Sequence, residues 1–564
     1  MKARKLLAVP LFAAVLLTGA CNVGKNADVP TGQKSVGEAT SQSINAQPRD
    51  SLVQGGELRL PAVELGSQWN PAQINGNDAT LAQVRSPLSP SYFTVDGKGN
   101  FTFDKNYLTQ EPTATGNPLV VTYELNPKAI WNDGSPINAE DFIQTWKSEN
   151  GSNKAYQIIS SQGMDQITSV KAGKDKFEVI MTYKSTYADW KLVFSSVQKA
   201  ASIKDPAVFN KGWISNLDKI TDWFSGPFIV TNYNKTQGSV TEEPNPNWWG
   251  DKPLLKKISF KHAEADGQAG AFVNGEIDSF DVGVNADAYQ RAQTAPNSEL
   301  RKAAGPNWRH ITVNNTAGLL KDEKLRQVIV EGLDRRQVAE SDLAGLDWPA
   351  EPLNNNIFLS NQTGYVDMAK QTGLDFNQDK AKSDLDAMGW KVPAGSTDGI
   401  REKDGKKLTI KFSQLVGIKV SENEATQLQN QMKGVGINIQ IVNQDTATYG
   451  EALSAGKFET IAFTWLGTPS PFQGIQQLYG TGSNSNYGKM TNPDVDKLVD
   501  PIANELDTQK RIDMANQAAA AIWTTVDTIP LYQRPDISAC VKKLANFGAF
   551  GIGSVTWTDV GFMK

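Results

Sequence analysis

Residue types that carry metal or nucleophilic chemistry are scarce in this sequence. Its only histidines are His262 and His310, and its only cysteines are Cys21 and Cys540. Zinc and haem sites are built mainly from clusters of these side chains, so no metal centre or other cofactor is expected. A Ser-His-Asp arrangement would need one of the two histidines. His262 ends a predicted strand and His310 lies inside another, and neither stands in a nucleophile motif. No catalytic residue is predicted.

Two further patterns could suggest an enzyme. The Gly-rich stretch GTGSNSNYGK, residues 480–489, lacks the Walker spacing and the Ser or Thr after its lysine, so it is interpreted as a loop. Acidic residues number 61, but their spacing singles out no catalytic pair. A secreted glycosidase that uses two carboxylates therefore stays an alternative without candidate residues.

A more informative feature is the uncharged end of a predicted strand. The stretch TIAFTWLGTPSPFQG, residues 460–474, predicts a buried strand at residues 461–466 and then a loop. A strand that stops at a Gly/Pro turn often presents its last side chains to a cleft. Those side chains are Trp465, Leu466 and Thr468. They predict a neutral, partly aromatic binding surface, with packing of Trp465 in the core as the alternative.

The N-terminus has the pattern of a bacterial lipoprotein signal peptide. A basic segment precedes an apolar run at residues 6–17, which is shorter than the roughly 20 residues that span a bilayer. The run ends in Leu-Thr-Gly-Ala-Cys, so residues 1–20 are the predicted signal peptide and Cys21 the predicted lipidation site. The leucine lies one place further from the cysteine than in the tightest lipobox. An ordinary cleaved signal peptide is the alternative.

Residues 21–51 predict a flexible tether, because they are rich in Gly, Ser, Asn, Gln and Pro and poor in large apolar side chains. Removal of residues 1–20 changes the formal net charge from −5 to −8, since three basic residues and no acidic residue are lost. A mildly acidic exported protein is not expected to bind nucleic acid. With Cys21 lipidated, Cys540 has no disulfide partner, so stability must come from a core.

From residue 55 the pattern indicates an α/β protein. The stretch GELRLPAVEL, residues 56–65, alternates and predicts a strand, as do residues 119–125 and 175–183. Asn138 is a good N-cap for the helix that begins with Ala-Glu-Asp. A helical apolar stripe, assigned to the core, is formed by Leu325, Val328, Ile329 and Leu333.

Several segments, taken in order, resemble the oligopeptide- and dipeptide-binding family of extracytoplasmic solute-binding proteins of ABC importers (solute-binding family 5). The segments are VTYELNPKAIWNDGSPINAEDFIQTWK, GPFIVTNYNKTQGSVTEEPNPNWWG, AGAFVNGEIDSFDV, KLRQVIVEGLDRRQVAE, NYGKMTNPDVDKLVD and IPLYQRPDISA. They extend over residues 55–557. One such motif would be weak, but six in order behind a lipobox are specific.

The resemblance implies a two-lobed α/β periplasmic-binding-protein clamshell of the large class, with a subdomain inserted in lobe I and a hinge near Asn314 and Arg534. The implied divisions are lobe I at 52–94, 225–310 and 535–564, the inserted subdomain at 95–224, and lobe II at 311–534. It further implies a monomer, lipid-anchored on the extracytoplasmic side of the membrane, that delivers peptides to permease subunits with cytoplasmic ATPases. Closure on the ligand would follow from tighter binding to the closed state.

In the family, a strand similar to AFTWLGTPSPF carries an aspartate that neutralises the α-ammonium group of the peptide. Alignment on Pro469 and Phe472 puts that slot at Trp465, within a residue, and no acidic residue lies between positions 463 and 472. Burial of an unpaired ammonium group costs several kcal/mol. Either another acid, for which Glu64 is the candidate, supplies the charge, or the ligand is not an ordinary free-amine peptide.

Further ligand-binding candidates follow from position in the implied fold. Loops at strand ends line such clefts, which favours Glu64, Trp69 and Asn70. The candidates from the inserted subdomain, lobe II and the hinge are Tyr156, Tyr487, Tyr532 and Arg534. Aromatic rings offer contact area at low entropic cost, and an arginine can bind a carboxylate. A ligand sensor and a binder of metal chelates or haem on the same fold remain alternatives.

Overall fold

The structure is a computed structural model that describes residues 35–214 and 217–564. Its strands, in chain order, are β1 (Leu52–Val53), β2 (Glu57–Ala62), β3 (Phe93–Val95), β4 (Phe101–Phe103), β5 (Thr113–Thr115), β6 (Val120–Glu124), β7 (Ile167–Ala172), β8 (Glu178–Tyr183), β9 (Phe228–Asn234), β10 (Ser239–Pro244), β11 (Lys257–His262), β12 (Ser279–Asp281), β13 (Ser298–Val313), β14 (Glu402–Lys403), β15 (Lys406–Lys407), β16 (Thr409–Leu415), β17 (Asn438–Gln444), β18 (Thr460–Trp465), β19 (Thr528–Val541), β20 (Leu544–Ala545) and β21 (Gly561–Met563).

The α-helices are α1 (Ala79–Arg85), α2 (Ala139–Glu149), α3 (Trp190–Val193), α4 (Pro206–Lys211), α5 (Leu217–Thr221), α6 (Ala265–Val273), α7 (Ala286–Thr294), α8 (Glu323–Gly332), α9 (Arg335–Asp342), α10 (Met368–Thr372), α11 (Gln378–Ala387), α12 (Lys419–Gly434), α13 (Thr446–Ala455), α14 (Ile475–Tyr479), α15 (Pro493–Val499) and α16 (Thr508–Thr525). Local sequence explains where they begin. The predicted cap of α2 is confirmed, because the Asn138 side chain accepts a hydrogen bond from the Glu140 amide while Asp141 accepts one from the Asn138 amide.

Lobe I is built on a four-stranded sheet of order β2-β11-β10-β9, in which β2 and β11 are parallel. The predicted alternating strand at residues 56–65 is confirmed as β2, where Leu58 and Leu60 are buried. They pack with Trp69, Phe224 and Phe260 in the core of this lobe.

The inserted subdomain contains the antiparallel sheet β5-β6-β8-β7, covered by α2. Its aromatic core contains Tyr92, Tyr123 and Phe142 and ends along the chain at Val197. Residues further on, such as Trp213, pack in the core of lobe I instead. The boundary of the inserted subdomain at residue 224 stays a prediction.

Two long antiparallel strands, β13 and β19, connect lobe I to lobe II. They belong to a six-stranded sheet of order β12-β19-β13-β18-β16-β17, in which β12 lies at the lobe I end and the last three strands form lobe II with α8 to α16. Pairing is regular from Ser298 to Ala304 and resumes at Trp308, so three residues of β13 oppose Arg534 alone. We call this bulge, at residues 305–307 opposite Arg534, the strand crossing. The hinge positions Asn314 and Arg534 stay predictions.

The first described residues pack against the body, which differs from the expectation of a tether extending to residue 51. Ser43 and Ala549 exchange two backbone hydrogen bonds of 2.8 and 2.9 Å, and Thr40 accepts one from the Ala304 amide. Val36 is buried in the main core. Backbone pairing and one buried valine hold this polar segment, and composition alone does not indicate either. The predicted signal peptide, Cys21 and the start of the tether lie outside the described residues.

Neither a membrane-spanning helix nor a metal centre emerges from the described part of the chain. Its helices are too short or too polar to cross a bilayer. It also contains no group of three His, Cys, Asp or Glu side chains placed to hold a metal ion.

Candidate functional site

A cavity of about 160 Å³ lies where the strands cross between the lobes. Pro306 and Trp308 of β13 form one side, and the loop that follows β18 forms another. The third side consists of residues 356–362, which join α9 to α10, together with α14. Loops at strand ends, held by a rigid sheet, thus form the walls.

The loop after β18 is pressed against the strand crossing. β18 pairs antiparallel with β13, so that Trp465 lies opposite Trp308. A Cβ atom at Gly467 would lie 2.0 Å from the Pro306 carbonyl oxygen, so only glycine fits there. The Gly467 amide donates to Asn307 Oδ1 at 3.3 Å. This close approach directs Leu466 and Thr468 to the cavity wall.

Trp465 is held in a stack of aromatic rings. Its ring lies nearly parallel to those of His310 and Tyr487, with interplanar angles of 2° and 7° and centroid distances of 5.7 and 5.8 Å. Phe463 packs edge-on against it. Burial, with the Arg309 charge as a smaller cause, lowers the pKa of His310 well below its usual range. The stack is therefore neutral and rigid, which suits a binding wall.

The cavity wall is uncharged. Among the described residues that line it, none is Asp, Glu, Lys, Arg or His. Its polar side chains include the amides and hydroxyls of Asn356, Gln362, Thr468, Ser470, Gln477, Tyr479 and Ser485. Such groups exchange hydrogen bonds with uncharged ligand groups without neutralising a charge.

A second, water-sized cavity of about 10 Å³ adjoins the first and shares Trp465, Tyr479 and Ser485 with it. Asp527 lines this smaller cavity and is 2% exposed. Burial raises the pKa of Asp527 to about 7, opposed by hydrogen bonds and by the Arg326 charge. It is the one titratable carboxyl group at either cavity in the described chain.

Lobe II and the inserted subdomain are in contact beside the cavity. Asp189, which precedes α3, forms a buried ion pair with Arg511 of α16. Ser470, in the cavity wall, donates a hydrogen bond of 2.8 Å to Asp189 Oδ1. The Ala188 amide also donates to the Ala503 carbonyl oxygen at 2.8 Å. Ser470 thus belongs both to the cavity wall and to the contact between lobe II and the inserted subdomain.

Four of the ten predicted ligand-binding residues lie together at these cavities: Trp465, Leu466, Thr468 and Tyr487. Their role in binding stays a prediction. The structure adds Pro306, Trp308 and Asn356, which sequence reasoning missed. The Pro/Asn-rich stretch PAEPLNNNI, residues 349–357, was the available indication of a loop beside the site.

The three predicted residues that follow β2 lie elsewhere. Trp69 is 1% exposed and packs against Phe224 and Tyr233 in the core of lobe I. Asn70 is fully buried and donates to the Phe209 carbonyl oxygen at 2.9 Å. Glu64 is exposed but lines neither cavity. The loop after β2 thus buries Trp69 and Asn70 in its own lobe and leaves Glu64 exposed, and a role of these three residues in binding stays a prediction.

The remaining three candidates, Tyr156, Tyr532 and Arg534, line neither cavity, and their role in binding stays a prediction. Tyr156 packs edge-on against Phe209. Tyr532 is 1% exposed and donates to Asp342 at 3.2 Å. Gln533, beside Arg534, hydrogen-bonds with Ser360 and Asn361. Arg534 itself lies close enough to Asp281 for its charge to oppose the rise in the pKa of that buried carboxyl group.

Comparison with known proteins identifies the family. The model for bacterial extracellular solute-binding proteins, family 5 Middle, matches residues 105–487. The chain belongs to solute-binding protein family 5. This confirms the predicted family. A family 5 relative, the oligopeptide-binding protein OppA of Mycobacterium tuberculosis strain H37Rv, is 32% identical over 99% of this chain and 93% of its own length.

Solved structures confirm the predicted two-lobed fold of this family 5 protein. The periplasmic EDTA-binding protein EppA superimposes with a TM-score of 0.83 at 22% identity, covering 95% of this chain and all of the other. The oligopeptide-binding protein AppA from Bacillus subtilis, in complex with a nonapeptide, gives a TM-score of 0.72 at 20% identity, covering 91% of this chain and all of the other.

Proposed function

We propose that this protein is a lipid-anchored receptor that captures peptides or peptide-like solutes outside the cytoplasm and delivers them to an ABC import permease. The observation that carries the proposal is the cavity at the strand crossing. It combines the aromatic faces of Trp308 and Trp465 with uncharged hydrogen-bonding groups. Backbone amides and varied side chains of a peptide match that combination. The similarity to OppA over 99% of the chain supports the same ligand class.

Capture would couple to closure through the loop that follows β18. A ligand in the cavity contacts this loop, and Ser470 of the loop contacts Asp189 of the inserted subdomain. A ligand favours the closed arrangement only as far as it binds that arrangement more tightly. The closed form is then the one that the permease receives.

The anchor would be the lipid on Cys21. The chain from Cys21 to Ser35, where packing against the body begins, can reach at most about 50 Å. The body would therefore stay within a protein diameter of the membrane. A Cys21→Ala variant is expected in the soluble fraction after cell lysis, whereas the unmodified protein is expected in the membrane fraction.

The ligand class is tested by native mass spectrometry of the gently purified Cys21→Ala protein. Release and sequencing of co-purified ligand is expected to yield peptides. A non-peptide molecule, such as a metal chelate, found in their place would contradict the proposal. Binding without turnover is the second expectation, and conversion of an added peptide or chromogenic glycoside would contradict it.

A further inference from the structure

The cavity at the strand crossing has an uncharged wall. Transfer of an ammonium or carboxylate group from water to a buried site without a counter-charge costs several kcal/mol. The cavity wall carries no charged side chain among the described residues, and its aromatic stack includes the neutral His310. A charged ligand group would therefore be disfavoured here, whereas amide and apolar groups would not.

Asn356 adds a buried hydrogen-bond acceptor that has no partner within the described chain. It lines the cavity and is 3% exposed. Its Nδ2 group donates to the Thr528 carbonyl oxygen at 3.3 Å, which orients the side-chain amide. The Tyr479 hydroxyl donates to the Asn356 carbonyl oxygen at 2.9 Å and holds the backbone. Asn356 Oδ1 accepts no hydrogen bond from any described residue and is itself buried, so a ligand donor reaches it once the side-chain amide turns toward the cavity. A buried acceptor in this state needs a donor.

We propose that this cavity selects an uncharged, amide-bearing part of the ligand, such as a blocked N-terminus or an internal peptide unit, with Asn356 Oδ1 accepting a hydrogen bond from the ligand amide. The inference rests on the proposed peptide-binding function and narrows its substrate class. Trp308 and Trp465 contact the adjacent apolar atoms of the ligand. Asn356 thereby becomes a specificity-determining residue.

The competing site for a free amine is Asp527. Its Oδ1 atom also accepts no hydrogen bond from the described residues. Its cavity of about 10 Å³ has room for one water molecule, not for an ammonium group together with the carbon that carries it. A single water molecule in that cavity would satisfy Asp527 without a ligand. The geometry thus favours an amide at Asn356 over an ammonium group at Asp527.

The test compares matched peptide pools on the purified protein after removal of co-purified ligand. Random hexapeptide and tripeptide amides are offered with either a free or an acetylated N-terminus, and bound peptide is quantified by mass spectrometry. We expect the protein to retain hexapeptides. We also expect it to retain acetylated tripeptides at least threefold more than free-amine tripeptides.

A ratio of retained acetylated to free-amine tripeptides below threefold would overturn the inference. So would retention of hexapeptides without either tripeptide pool, because the decisive contacts would then lie outside the cavity. Both outcomes leave peptide capture standing. Retention of no pool would overturn the proposed function and this inference with it.

Substitutions at Asn356 and Asp527, with Asn274 as the control position, show which residue sets the preference between acetylated and free-amine tripeptides. Asn356→Asp is expected to shift the tripeptide ratio at least tenfold toward the free amine, because it supplies a counter-charge. Asn274→Asp, on an exposed residue of lobe I, makes the same change in net charge and is expected to leave the ratio unchanged. A preference for free amines that Asp527→Asn abolishes would assign the site to Asp527 and overturn the inference.

Discussion

Arg511 and Asp189 form a two-point ion pair across the contact between lobe II and the inserted subdomain. Arg511 Nη1 lies 3.0 Å from Asp189 Oδ1, and Nη2 lies 2.5 Å from Oδ2. The exposed fractions of the two side chains are 7% and 6%. The guanidinium group also stacks on the Phe472 ring at 4.2 Å. Both charges are desolvated only while the two parts remain in contact.

Asp189→Asn is expected to favour separation of the two parts. When lobe II and the inserted subdomain are in contact, the substitution leaves the buried Arg511 charge without its partner. When they separate, water solvates that charge. Loss of one partner of a buried pair costs about 3–5 kcal/mol. We expect at least tenfold faster dissociation of a bound hexapeptide, measured by stopped-flow fluorescence, and a larger radius of gyration in small-angle scattering. Asp494→Asn breaks the exposed pair with Lys497 and serves as the control. Equal dissociation rates in the two variants would contradict this role.

Arg309→Met is expected to destabilise lobe II. Arg309 binds both carboxylate oxygens of Glu424 at 2.6 Å, and the Glu424 side chain is 1% exposed. The substitution leaves a buried carboxylate unpaired, so the free energy of unfolding should fall by about 3–5 kcal/mol in urea denaturation. Lys457→Met breaks the exposed pair with Glu451 and should change it by less than about 1 kcal/mol. The double substitution with Glu424→Leu should recover part of the loss, and failure to do so would argue against the unpaired charge as the cause.

Trp465→Ala is expected to weaken ligand binding as well as folding. It removes the central ring of the stack and a wall of the cavity, so hexapeptide affinity should fall at least tenfold in calorimetric titration. The free energy of unfolding should fall by about 3 kcal/mol, as for other buried large-to-small changes. Tyr532→Phe removes a buried hydrogen bond to Asp342 away from the cavity. It should cost about 1 kcal/mol of stability and leave affinity unchanged. If both variants lost the same hexapeptide affinity, the cavity at Trp465 would not be the place where the ligand binds.

Asp527 is expected to make stability fall as pH rises. Its carboxyl pKa is raised from 3.8 to about 7, so between these values the folded protein retains a proton that the unfolded chain has released. The free energy of unfolding therefore decreases with increasing pH through this window. In urea denaturation at pH 5 and pH 8, Asp527→Asn should reduce the decrease by about 2 kcal/mol. Arg326 and Tyr479 are the other ionisable groups that interact with Asp527, and neither titrates ordinarily in this range. An unchanged pH dependence would show that Asp527 is charged when folded.

The strand exit at Trp465 was accessible from sequence because its determinants are local. An apolar run that ends at Gly467 and Pro469 predicts both the end of β18 and the presentation of its last side chains. Tyr487 also lies at the site, in a loop whose family motif is continuous in sequence. For these residues, the chain neighbours that set the backbone path also set the direction of the side chain.

Glu64, Trp69 and Asn70 show where local reasoning stopped. The strand was predicted to run to residue 65, but β2 ends at Ala62, and Trp69 in the loop after it packs against Phe224 and Tyr233 of its own lobe. The surroundings of Arg534 include Asp281, which is distant in the chain. Asn356 lies in a stretch with no periodic pattern, and its role depends on contacts with Tyr479 and Thr528.

The sequence by itself determined the family, the α/β class, the N-cap Asn138, the end of β18 and the uncharged character of the segment around Trp465. These features depend on residue type and on spacing over a few positions. Only the tertiary structure decided which strand ends form one cavity, that no charged side chain enters its wall within the described chain, and that Asp189 meets Arg511 across 322 positions. Such contacts arise from the packing of segments distant in sequence, and the free energy of burial that selects them depends on both partners at once.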